Sequence, residues 1–186
     1  RRRQDLCRDA VVAQRAFAEA PVRDATHAGT AYPADQEQLR ETLAGYLDGA
    51  LANGAGNANL IGIAAPHVSP FGGIETYRAA YQALQPRHQD RTFVVLGTSH
   101  YGEPDRFGLT RKPFLTPFGA ARTNTDLVDE LARGGGTAVK LEDYCHAVEH
   151  SIEFQVVFLQ HLFGPDIEIV PVLCGSFLAS MQRGGL

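Results

Sequence analysis

The sequence is short of the features that announce several common functions. It has three cysteines, Cys7, Cys145 and Cys174, widely spaced and without a CxxC pair, so neither a disulfide framework nor a cysteine-built zinc site follows. Any metal must be held mainly by histidine, carboxylate or an isolated cysteine. No run approaches the ~18 consecutive apolar residues of a membrane helix. Seventeen basic and twenty-one acidic side chains give a net charge of −4, with no lysine or arginine stripe in the body of the chain, which speaks against a nucleic-acid surface. The one basic run, Arg1–Arg3, reads as a solvated terminus, and the residues after it are too charged for a secretory apolar region. A cytoplasmic location is the default expectation. Phosphate loops of the GxGxxG and GxxxxGK[ST] types are absent where they would be needed, and so is a GxSxG elbow.

What is present suits one folded domain: 186 residues, 44% of them hydrophobic, enough for a substantial core. Residues 1–26 show weak helical patterning around "DAVVAQRAFAEA" and read as an N-terminal extension; residues 27–186 read as the domain proper. Asp35 is placed to cap a helix carrying Leu39, Leu43, Tyr46 and Leu47 at helical spacing. "NGAGNAN" reads as a loop and Leu60–Ala65 as a strand. Ile74, Tyr77, Tyr81 and Leu84 line one face of the next helix, and "RTFVVLG" follows as a second strand.

That strand, helix and strand form a βαβ unit. Its continuous apolar strands predict a mostly parallel central sheet with helices on both faces. Further on, Asn124 or Thr125 caps a helix with Leu127, Val128 and Leu131 inward, "GTAVKLED" reads as a strand, and "EHSIEFQVVFLQHLF" is a buried helix stopped by Gly164 and Pro165. "IEIVPVLCG" is the last strand. "LTRKPFLTPFGAART" suggests a hairpin outside the main sheet, and the end at "SFLASMQRGGL" looks cut short.

The chemistry is concentrated in histidines. His67 and His100 each end a strand, on the edge of a parallel sheet where ligands bind. "CHAVEHS" adds His146 and His150 four residues apart, which predicts one helix face, with Glu149 beside them as an acid or base. A polar helix cap is the competing reading for His146. His150 opens an apolar helix and therefore needs a partner. His27, before "AGTAYP", borders the cleft or is a turn residue. Cys145 beside His146 and Ser99 beside His100 offer a weaker hydrolase reading.

"HAGTAYPAD", "IAAPHVSPFGG", "VVLGTSHYG", "TPFGAARTNTDLVDEL", "EHSIEFQVVFLQHLF" and "IVPVLCGS" together resemble, in that order, the Memo-like family, called AmmeMemoRadiSam system protein B in prokaryotes. The resemblance runs from about His27 to Ser176. It implies a fold like that of the LigB-type class III extradiol dioxygenases, with a central mixed sheet in a three-layer sandwich. It also implies that His67 and His100 are metal ligands, with iron(II) as the first choice and copper as the second. His150 then lines the same cleft, with Glu149 orienting it, as catalytic candidates. His27, Ser69, Tyr101 and His146 are expected around the pocket, where "PHVSP" and "SHY" replace the family's "PHAGY" and "SHH". The family's third ligand is expected beyond residue 186. By the same resemblance the cleft takes a small molecule or peptide, and the prokaryotic name associates the family with radical SAM and AMMECR-type proteins. Two readings stand side by side: a metal-dependent oxidoreductase, and a binding module that retains the dioxygenase fold.

Overall fold

A computed structural model describes residues 2–47 and 59–184. The chain runs through α1 (Arg2–Glu19), α2 (Gln36–Tyr46), α3 (Ile74–Tyr81), β1 (Thr92–Thr98), β2 (Phe107–Leu109), β3 (Phe114–Thr116), β4 (Gly119–Thr123), α4 (Thr125–Gly135), β5 (Val139–Leu141), α5 (Cys145–Val148), α6 (Ser151–Phe163), β6 (Glu168–Cys174) and α7 (Leu178–Arg183). The loop expected at residues 53–59 falls, but for Asn59, outside the described residues.

Local signals in the sequence explain most of these elements. Asp35 accepts hydrogen bonds from the backbone N–H groups of Glu37 and Gln38, satisfying two of the free donors at the start of α2. Asn124 does the same for Leu127 at the start of α4. Gly164 ends α6 in the left-handed region at φ 91°, where a side chain would be strained. On α4 only Val128 is buried; Leu127 and Leu131, expected inward, are exposed. α4 has only a narrow strip against the sheet, so its flanking leucines stay at the rim.

β6 is the spine of a six-stranded sheet. Along one edge it pairs with β1 over their full lengths, in parallel. Its other edge is shared: β4 pairs in parallel at Glu168 and Ile169, and β2 pairs antiparallel at Val172–Cys174. Pro171 stands between those two partners, where its missing N–H leaves no gap in the ladder. β3 joins β4 as an antiparallel hairpin, and β5 joins β2 in parallel. Hence β1, β4 and β6 run one way and β2, β3 and β5 the other.

The sheet is therefore mixed, which overturns the mostly parallel sheet expected from the sequence. Three features account for the difference. Leu60–Ala65 forms no strand in the structure, so the parallel βαβ unit is not built: Gly62 interrupts the run and the Ile61 side chain is fully exposed. The proline-containing hairpin joins the sheet through β4 rather than lying outside it. β2, too short to show a pattern, runs against β6.

Helices do cover both faces. Ile169 and Leu173 of β6 belong to the larger core beneath α6, whose Phe158 stacks on Tyr77 and Tyr81 at 4.3 and 5.0 Å. Val170 and Val172 point the other way, into a smaller core with Leu109 and Val128. Among the described residues β1 is covered on its α6 side; Val94 and Leu96 are exposed on the other. The N-terminal extension packs on the domain, with Phe17 buried and the carbonyls of Ala18 and Ala20 accepting hydrogen bonds from the Lys112 ammonium.

Candidate metal centre

Three chain segments deliver one imidazole each to a common point. His67 sits in a loop held on both sides: Gln155 donates from Nε2 to the Pro66 carbonyl at 3.0 Å, and the Tyr77 hydroxyl donates to the Val68 carbonyl at 2.9 Å. His100 lies two residues past β1, whose continuation is fixed by the Ser99 N–H donating to the Cys174 carbonyl at 2.9 Å. His150 precedes the first turn of α6. That turn is tied to β1 by the Ser151 hydroxyl, which donates to the Thr98 carbonyl at 2.8 Å. Gly97 makes the approach feasible, since a Cβ there would lie 2.5 Å from Ile152 and 2.6 Å from Ser151.

The rings of His67, His100 and His150 lie 5.1 to 5.8 Å apart, centroid to centroid. One ligand nitrogen of each falls within 4.8 Å of the other two. An ion about 2.1 Å from each nitrogen would draw them to within roughly 4.2 Å of one another, a small adjustment for side chains at a partly exposed edge. His150 is held below the usual histidine range by burial first, and then by the neighbouring His100, His27 and His67. The neutral form so favoured is the one that ligates.

Glu149 is buried beneath this triad. Its carboxylate accepts the backbone N–H groups of His100 and Tyr101 and, at 2.9 Å, the Nδ1–H of His100. A carboxylate accepts only, so the proton is on Nδ1 and Nε2 of His100 is free to bind. This carboxylate–histidine pairing is the usual support of a metal-ligating imidazole. Its contact to His150 is looser, at 4.0 Å.

The remaining residues singled out from sequence divide. His27 borders the cluster, its ring edge-on to His150 at 5.7 Å. Tyr101 is largely exposed with its ring 6.4 Å from His100, and Ser69 is exposed at the start of a short 3-10 turn. His146 does not share a helix face with His150, because the chain leaves the helix at Glu149 between α5 and α6. It is fully buried instead, with Nε2 on the Gly108 carbonyl at 3.1 Å, and burial pushes it down to about 4. Cys145 is pushed up to about 11 by burial and by Asp143, and the Ser99 hydroxyl has no hydrogen-bond partner among the described residues; neither is set up as a nucleophile.

Sequence reasoning passed over a second buried carboxylate, Glu153. It accepts from the Arg23 guanidinium, the Tyr32 hydroxyl, the His27 N–H at 3.0 Å and the His27 Nδ1 at 2.8 Å. Arg23 in turn donates to the carbonyls of Asp24, His146 and Glu149. The one sign available in the sequence was a glutamate in the middle of "SIEFQVVF", a helix otherwise apolar, where a charge requires a partner.

A family model described as Memo-like protein matches residues 23–183. The chain belongs to the Memo-like family. Among relatives described as MEMO1 family proteins, that of Methanococcoides burtonii is 30% identical over 154 residues, 83% of this chain and 55% of its own length. The protein of Thermococcus kodakarensis is 32% identical over 162 residues, 83% of this chain and 53% of its own. That of Methanopyrus kandleri is 33% identical over 154 residues, 78% and 53% respectively. The chain thus spans about half the length of the Memo-like relatives it matches. Within this span His67, His100 and His150 form a group of three histidines close enough together to hold an ion.

Proposed function

We propose that this Memo-like chain carries a mononuclear metal site, made by His67, His100 and His150, that serves a metal-dependent oxidoreductase acting on an oxygen-bearing substrate. The observation that carries the reading is the convergence of three imidazole nitrogens beside a buried carboxylate that fixes one of them. A bound divalent ion supplies Lewis-acid and redox chemistry there, and three protein ligands leave coordination positions for a substrate. Iron(II) is the first choice and copper the second, because imidazole suits both. His67 also lines a groove of about 640 Å³ between the residue 60–67 segment and β1, with Leu60, Ile63, Val94 and Gln155 along it. That space is of the size that takes a small organic molecule.

No helix among the described residues is long and apolar enough to cross a membrane, and the site is proposed to work in the cytoplasm, in a pathway shared with radical SAM and AMMECR-type proteins. The open groove and the exposed Val94 and Leu96 beside it also favour a second reading, a peptide-binding module in which the metal has no chemical role. Elemental analysis of anaerobically purified protein beside the His67→Ala/His100→Ala variant tests the first. Near-stoichiometric iron or copper, absent from the variant, supports it. Metal in neither, even after reconstitution, leaves the binding module, which predicts equal peptide affinity with and without His67.

A further inference from the structure

His27 is constructed as His100 is, and it stands next to the triad without belonging to it. Its Nδ1 lies 2.8 Å from Glu153 Oε2, and Glu153 is fully buried. Because the carboxylate only accepts, Nδ1 carries the proton, and in the neutral ring Nε2 is left as an acceptor on the opposite side. No protein group within the described residues bonds to that nitrogen. The ring is about one-fifth exposed, wedged edge-on between His150 at 5.7 Å and Phe154 at 5.8 Å.

The anchoring is far stronger than a turn residue needs. Glu153 is held by Arg23 and Tyr32 as well as by two donors of His27 itself, so the ring has its orientation imposed from inside the fold. A side chain fixed by its buried nitrogen, with the other nitrogen unpartnered beside a three-histidine cluster, is arranged to receive something at that cluster.

We propose that His27 is a ligand-orienting residue, whose Nε2 accepts a hydrogen bond from a protic group, an O–H or N–H, on the molecule bound at the His67, His100 and His150 centre. The inference rests on the metal reading above and names the class of ligand it takes: one that offers a metal-binding oxygen and, adjacent to it, a hydrogen-bond donor. A ligand with the same oxygens and no donor loses the contact.

Acetohydroxamate and N-methylacetohydroxamate are suitable probes, since both chelate through two oxygens and only the first retains an N–H. Their affinities are to be measured on metal-loaded protein by optical titration, for the wild type and for His27→Asn. Asparagine places its amide nitrogen near the position of Nδ1, so it keeps the donor to Glu153 and deletes only Nε2. The wild type is expected to prefer acetohydroxamate by roughly 3- to 10-fold more than His27→Asn does, the worth of one ordinary hydrogen bond, with equal metal content in both. The same preference in both proteins overturns the inference and leaves the metal site standing. Loss of metal from His27→Asn also overturns it, since His27 would then help hold the ion. A wild type that takes up no metal contradicts the underlying metal reading itself.

Discussion

Glu149 and Glu153 stand one helical turn apart in sequence, are both buried, and each orients a histidine through Nδ1, yet their surroundings differ. Glu153 faces a guanidinium and a phenol in the fold interior. The Glu149 carboxylate, among the described residues, takes its hydrogen bonds from the backbone and ring of the 100–101 segment. The difference teaches which carboxylate holds the fold and which holds the site. A buried anion paired with a buried cation is part of the core, and removing one partner strands the other. An anion whose donors all come from one ligand-bearing loop acts mainly on that loop.

The comparison breaks most sharply at the ion pair. Glu153→Ala or Arg23→Ala is expected to destabilise the domain by about 3–5 kcal/mol, read as a fall in the denaturant midpoint. Glu149→Gln should lower stability far less and instead weaken metal binding about 10- to 100-fold, measured by competition with a chelator. If the two carboxylates exchanged these effects, the division would be wrong.

Between them in size lies Gly97→Ala, about 1–3 kcal/mol by overpacking. It forces apart β1 and the first turn of α6, so it should lower both stability and metal affinity. The smallest effect is at the α2 cap: Asp35→Ala should lose about 1 kcal/mol and leave metal binding untouched.

His146 and His150 sharpen the contrast through pH. Buried His146 titrates near 4 in the folded protein, below the ~6.5 of an unfolded histidine. The unfolded chain therefore binds the extra proton first, and stability falls as pH drops from about 6.5 towards 4. A variant His146→Gln should lack that component of the pH dependence in denaturation curves, without any change in metal content.

Much of the fold was legible because its signals are local. The Asp35 and Asn124 caps, the 3.6-residue spacing of Tyr77 and Tyr81, and the Gly164 stop all act within a turn or two of chain. Strand direction was not legible. The apolar run of β6 shows that it is covered on both faces but not that β2 runs against it, and Leu60–Ala65 reads as a strand though it pairs with no strand among the described residues. The histidines at 67, 100 and 150 stood out by type and position. Their supports did not, because Gln155 on the Pro66 carbonyl and Glu149 on His100 are contacts between segments 49 to 89 residues apart. Arg23 was hidden for the same reason, more than 120 residues from the His146 and Glu149 carbonyls and the Glu153 carboxylate it binds.

The central claim is that this chain supplies three metal ligands, His150 among them. Iron(II) and copper affinities of the wild type and His150→Ala, measured anaerobically against a chelator, test it most directly. One ion per wild-type chain is expected, with a loss in His150→Ala exceeding the 10- to 100-fold typical of a supporting residue. Equal affinity in the two proteins would contradict it, and would return His150 to the role of a neighbour of a two-histidine site.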